Sequence, residues 1–143
     1  MEYTISEIVG IVNGKTQDKT FIDRPVRDIL IDSRKLISPD QCLFFALVSK
    51  RNDGHKYIHE LYDKGVRDFI VSKKPSDPEK YLEANFILVK NTLHALQALA
   101  RAHREKFNIP VIGITGSNGK TIVKEWLYQL LSKDRKTIRS PKS

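Results

Sequence analysis

Residues 111–131, VIGITGSNGKTIVKEWLYQLL, set three glycines, an asparagine, a lysine and a threonine between an apolar stretch and a helical pattern. Glycines at 116 and 119 let a backbone turn sharply and bring its N–H groups close to an anion. A helix starting at the end of such a loop adds its free N–H groups and the positive end of its dipole. Lys120 supplies a mobile cation for β- and γ-phosphates, and Thr121 a hydroxyl at the position that ligates Mg²⁺ in phosphate-binding loops. Thr115, Ser117 and Asn118 complete the loop. The chemistry predicted is the binding of a nucleoside triphosphate. The strict spacing G-x-x-x-x-G-K-[ST] is not met, because its first glycine falls on Ile114. The competing reading is a structural strand-to-helix turn that happens to contain Gly-Lys-Thr.

The elements that must position this loop follow from periodicity and punctuation. TISE at 4–7 matches a capping box, and Ile5, Ile8, Val9 and Val12 recur at helical spacing until Asn13-Gly14. A polar loop follows to Arg24-Pro25. DILIDSR (28–34) predicts a strand, SPDQ (38–41) a turn, and CLFFALV (42–48) a second strand. KRNDGH opens a helix carrying Tyr57, Ile58, Leu61 and Tyr62, closed by Gly65. VRDFIVS predicts a third strand, DPEKYLEA a short helix, and NFILVK a fourth strand. This alternation predicts an α/β fold with helices laid on a sheet. The clearest helix is NTLHALQALARAHREKF, capped by Asn91 or Thr92, with Leu93, Leu96, Leu99 and Ala100 as its apolar face. Asn108-Ile109-Pro110 ends it, and VIGIT predicts a strand leading into the glycine loop. A domain boundary is expected near Lys90, giving domains 1–90 and 91–143.

Composition narrows the function classes. The chain has 143 residues, 40% hydrophobic and 29% charged, as expected of a globular protein. No apolar run reaches the roughly 18 residues of a membrane span, and the first residues lack the pattern of a secretion signal. Cys42 is the single cysteine and is expected as a small apolar residue in a reducing cytoplasm. The net charge is +8, but from Lys120 onward seven basic residues face two acidic ones, so +5 of it sits there. That excess is not a stripe interleaved with aromatics, so nucleic acid is not the expected partner. His55 and His59 are four apart, but HKYIH lacks the glutamate of a zinc H-E-x-x-H helix and no third ligand follows.

GITGSNGKT, with VKEWL after it and NTLHALQALA before, resembles the ATP-binding loop of the Mur ligases, the cytoplasmic enzymes of peptidoglycan biosynthesis that build its stem peptide on a UDP-sugar. IDSRKLISPDQCLFFAL followed by NDGHKYI is similar to the stretch with which the family's N-terminal domain holds the UDP part of its substrate. The resemblance implies a small N-terminal α/β UDP-sugar-binding domain followed by the start of a P-loop ATPase domain. ATP-binding falls on residues 115–121, with Lys120 as the catalytic residue and Thr121 on Mg²⁺. UDP-substrate binding falls on Ser33, Arg34, Asp53, Gly54 and His55, Gly54 allowing close backbone approach to the ligand. Without the resemblance, Asp32 and Arg34 read as a surface pair and Asp53 as a helix cap.

The activity implied is ATP-dependent joining of D-alanyl-D-alanine to UDP-N-acetylmuramoyl tripeptide through an acyl phosphate. The alternatives are the family member that adds the third stem-peptide residue, or a non-catalytic UDP-sugar-binding module. Family members run to several hundred residues, so the catalytic carboxylate and further metal ligands are expected beyond Ser143 and the isolated chain is expected to be inactive. Two departures stand out: Ile122 replaces a second threonine common after Gly-Lys-Thr, and SKRNDGH lacks a glycine common before this motif. SKRNDGH and GKTIVKEWLYQLL are most similar to versions fused to an alanine racemase domain.

Overall fold

The computed structural model describes residues 2–16 and 22–141. Residues 17–21 of the expected polar loop, and 142 and 143 of the tail, lie outside the described residues. The chain forms two compact units, 1–107 and 108–143.

The first unit begins with β1 (Tyr3–Thr4) and α1 (Ile5–Val12). The capping box forms as the sequence predicts. Thr4 Oγ1 accepts from the Glu7 N–H at 3.3 Å, and the Glu7 carboxylate accepts from the Thr4 N–H at 2.7 Å. Asn13, at φ 49°, closes the helix in the left-handed conformation that asparagine tolerates. β2 (Pro25–Val26) pairs antiparallel with β1.

Four parallel strands then build one sheet in the order β3–β4–β5–β6: β3 (Asp28–Leu30), β4 (Cys42–Phe45), β5 (Asp68–Val71) and β6 (Asn85–Leu88). The register pairs Leu30 with Phe44, Phe45 with Ile70, and Val71 with Leu88. Parallel strands need coverage on both faces, so they read as unbroken apolar runs. Leu43, Phe45, Ile70 and Ile87 face Ile5, Ile8 and Val12 of α1, and Ala95 and Leu99 of α3 (Thr92–Glu105). Phe44, Phe69, Val71 and Phe86 face Ile58 and Leu61 of α2 (Ile58–Asp63). The result is three layers, with α1 and α3 on one face and α2 on the other. Lys15 bridges Leu88 through two backbone hydrogen bonds of 2.8 and 2.9 Å, covering part of the β6 edge.

A polar network closes the N-terminal ends of β5 and β6. Asp68 is 2% exposed and accepts from Arg24 Nη1 at 3.1 Å and Asn85 Nδ2 at 2.6 Å. Burial pushes its carboxyl above the ordinary range, and the Asn85 and Arg24 contacts oppose that push. Asn85 also clasps both backbone groups of Ile22, and Arg24 Nη2 donates to the Glu83 carbonyl at 2.6 Å. Every polar group in the network is therefore partnered, as burial demands.

Several expectations are corrected. The strand predicted at 28–34 stops at Leu30, because Asp32 caps a 3₁₀ turn over Ser33–Lys35. The helix predicted after KRNDGH is a 3₁₀ turn, Gly54–Tyr57, followed by α2, so His55 and His59 do not share one helical face. The helix predicted over DPEKYLEA is a single 3₁₀ turn, Pro78–Lys80. On α3 Leu99 is buried and Leu96 packs on the core as expected, but Leu93 is 46% exposed and Ala100 exposed, while Thr92 and Ala95 are buried. The chain divides after Phe107 rather than near Lys90, since α3 packs on α1 and joins the first unit's core.

The second unit holds the glycine loop and α4 (Lys120–Leu131). The strand predicted at 111–115 is absent, with Val111 68% and Ile112 61% exposed. β-branched residues favour a strand only against a partner strand, and the second unit offers none among its described residues. The basic tail folds along α4, where Lys124 Nζ donates to the Ser140 carbonyl at 2.9 Å and Arg139 pairs with Glu125.

Leu99→Ala tests the placement of α3. It should destabilise the whole first unit by about 2–5 kcal/mol in urea unfolding, as buried leucine truncations do. A loss under ~0.5 kcal/mol would place α3 outside that core.

Candidate functional site

In a parallel sheet all strands end on one edge, which is where α/β folds place ligands. The segments after β3, β4 and β5 therefore meet there, and they carry the residues singled out in the sequence. Ser33 is buried in the 3₁₀ turn after β3. The Arg34 side chain is 86% exposed and forks onto Asp32, with Nε to Oδ1 at 2.9 Å and Nη2 to Oδ2 at 2.7 Å. That pair lowers the Asp32 carboxyl to about 2.

After β4 the chain makes a tight loop, in which Val48 bridges Asp53 and the Ser49 hydroxyl meets the Arg51 and Asn52 N–H groups. Asp53 caps the following 3₁₀ turn by accepting from the His55 N–H at 3.0 Å. Its carboxylate is also held by Lys73 Nζ at 2.7 Å and His55 Nδ1 at 2.6 Å. These three donors, Lys73 first, keep it well below the usual carboxylate range.

Gly54 has a packing reason to be glycine. A Cβ there would lie 2.7 Å from the Leu47 nitrogen and 2.8–2.9 Å from backbone atoms of Ala46. The missing side chain serves the chain's own close packing, sealed by the Gly54 N–H donating to the Leu47 carbonyl at 2.8 Å. The His55 side chain is 8% exposed, Nδ1 faces Asp53, and Nε2 accepts from the Ser72 N–H at 3.0 Å. Both ring nitrogens are committed within the protein. Lys73 and Ser72 carry no motif in the sequence; their position just past the end of β5 is the signal that could have found them.

The edge is cationic, since Arg34, Lys35, Lys50, Arg51 and Lys73 are exposed there against Asp32 and Asp53. Such a field suits a ligand carrying several negative charges.

In the second unit, Gly116 sits at φ 151° and Gly119 at φ 77°, both in the region that favours glycine. Gly119 is the N-cap of α4 and has no side chain to satisfy the first N–H groups, which leaves them directed at the loop. Lys120 Nζ crosses the loop to the Gly116 carbonyl at 2.6 Å and lies 3.5 Å from that of Ser117. Thr115, Ser117, Asn118 and Thr121 are exposed around it. The arrangement can take a phosphate by exchanging carbonyl partners of Lys120 for phosphate oxygens. Thr121, in the first turn of α4, fits as one hydroxyl ligand of a hard divalent cation. Among the described residues no three carboxylate, histidine or cysteine side chains gather to hold a metal.

Residues 25–104 match the Mur ligase family, catalytic domain. The chain belongs to the Mur ligase family. It is 33% identical over 129 residues to the UDP-N-acetylmuramoyl-tripeptide--D-alanyl-D-alanine ligase of Bacillus subtilis (strain 168), covering 90% of this chain and 27% of that protein. Its fold is similar to MurF from Acinetobacter baumannii, with a TM-score of 0.79 and 29% identity over 94% of this chain and 28% of the other. It is also similar to the MurF ligase from Thermotoga maritima in complex with ADP, with a TM-score of 0.61 and 34% identity over 77% of this chain and 24% of the other. This Mur ligase chain thus spans about a quarter of the length of the relatives it matches. No helix among the described residues is long and apolar enough to cross a membrane.

Gly54→Ala should cost about 3 kcal/mol of first-unit stability in urea unfolding, because its Cβ meets rigid backbone rather than a flexible side chain. A cost below ~1 kcal/mol would show that the 46–54 contact can relax.

Proposed function

We propose that this chain contributes the UDP-substrate site and the first part of the ATP site of a ligase that joins D-alanyl-D-alanine to UDP-N-acetylmuramoyl tripeptide. The observation that carries the reading is the cationic C-terminal edge of the sheet, where Arg34 and Lys73 present exposed cations within one constellation. In this reading the first unit, residues 1–107, holds the UDP moiety and the second, residues 108–143, begins the nucleotide site. Ser33, Arg34 and Asp53 line the UDP pocket, with Gly54 and His55 shaping it. The names of the relatives, and the ADP held by one of them, support the choice of both substrates.

The reaction proposed runs in two steps. A terminal carboxylate oxygen of the tripeptide attacks the γ-phosphorus of ATP, the bond to the bridging oxygen breaks, and ADP leaves. The amine of D-alanyl-D-alanine then adds to the acyl carbon, the adduct expels phosphate, and the nitrogen loses a proton. Lys120 and the N–H groups at the start of α4 hold the β- and γ-phosphates and neutralise the charge on the transferring group. The Thr121 hydroxyl would serve as one ligand of Mg²⁺, which would supply further charge neutralisation. No residue described here acts as a base for the amine.

Calorimetric titration of the chain with UDP-N-acetylmuramoyl tripeptide, UDP and Mg-ATP tests the assignment. Binding of both UDP compounds, with Mg-ATP weak, is the expected result. A folded chain that binds neither UDP compound would contradict it.

A further inference from the structure

His55 holds the loop after β4 to the segment after β5 through contacts that only one protonation state allows. A backbone N–H is always a donor, so the 3.0 Å contact from Ser72 makes His55 Nε2 an acceptor without its own hydrogen. Nδ1 must then carry the proton and donate it to Asp53 Oδ1 at 2.6 Å. Asp53 is in turn gripped by Lys73, whose backbone directly follows Ser72. The loop 49–55 and the strand end 71–73 are thus joined twice, once through the imidazole and once through the ion pair.

We infer that neutral His55 is a proton-sensitive positioning residue, latching loop 49–55 to the end of β5 and thereby presenting the cationic edge in binding-competent form. This rests on the UDP reading above and adds its regulation by pH. The groups facing the ring are Asp53 on its own loop, with Lys73 behind it, and the Ser72 N–H and hydroxyl, the hydroxyl 3.5 Å from Nε2. A second proton on the ring places Nε2–H against the Ser72 N–H, and two donors cannot share that contact. Asp53 attracts the imidazolium, but it cannot restore the bond to Ser72. Protonation therefore keeps the Asp53 contact and breaks the bond to the Ser72 N–H, leaving Nε2–H only the Ser72 hydroxyl oxygen, 3.5 Å away, as a long and weak acceptor. The neutral form holds the latch, so protonation of the ring weakens the binding of UDP compounds.

The test combines a ligand-free and a ligand-binding readout on the folded chain. Imidazole ¹⁵N shifts at pH 8 should report a single Nδ1–H tautomer, with the Ser72 amide protected from exchange and losing that protection as His55 titrates. An Nε2–H tautomer, or a Ser72 amide indifferent to that titration, would overturn the inference whatever the ligand does. UDP-N-acetylmuramoyl tripeptide should bind about three- to tenfold more weakly once His55 is protonated, the worth of one hydrogen bond. His55→Gln places a carbonyl acceptor near the Nε2 position without a titrating proton, and should bind with little pH dependence across that range. His55→Asn cannot reach Ser72, and should bind weakly at both pH extremes. Equal pH profiles in wild type and His55→Gln would refute the latch, whereas absence of binding in every variant, with the NMR signature intact, would refute only the UDP reading.

Discussion

Parallel strand pairing is the constraint from which the rest of this structure follows. A parallel pair cannot be joined by a tight turn, so each of β4 to β6 is reached by a crossover, and all four strands end on the same edge. Both faces of the sheet must be covered, and α2 in the β4–β5 crossover covers one while α1, before β3, and α3, after β6, cover the other. The same geometry gathers three chain segments, distant in sequence, at one edge. Arg34, Asp53, His55 and Lys73 come together there because β3, β4 and β5 end there, not because any local motif joins them.

The two edges of the sheet are treated in opposite ways. At the N-terminal edge, Asp68, Arg24 and Asn85 satisfy one another and the Ile22 backbone, and the buried carboxylate is closed off from solvent. At the C-terminal edge, cations remain exposed and only Asp32 and Asp53 answer them. Buried polar networks are tolerated when every member is partnered. An exposed excess of one sign is what an anionic ligand meets. The edge whose polar groups are already matched is closed, and the edge with surplus charge is the one left open to solvent.

Local chemistry was the part of the fold most legible in the sequence. The TISE capping box, the Asn13 terminator and the Asn91 cap all appear with the hydrogen bonds their residue types require. The apolar runs 42–45, 69–71 and 86–88 are read directly as strands because a parallel sheet buries both faces. Tertiary context governed the rest. VIGIT has strand propensity but no partner strand in its unit, and Leu93 fits a helical repeat yet faces out because Ala95 and Leu99 meet α1. In the DGH motif the Asp53 cap is legible in the sequence, but the roles of Gly54 and His55 are not. Asp53 caps, Gly54 admits the backbone of strand β4's extension, and His55 reaches Ser72, a contact seventeen residues away that no pattern announces.

The central claim is that the C-terminal edge of the sheet, rather than the glycine loop, receives the UDP moiety. The most direct measurement is a ¹H–¹⁵N titration of the labelled chain with UDP. The account predicts amide shifts confined to Ser33–Lys35, the 49–55 loop and Ser72–Lys73, with α4 unchanged. Shifts centred on residues 115–121, with the sheet edge silent, would contradict it.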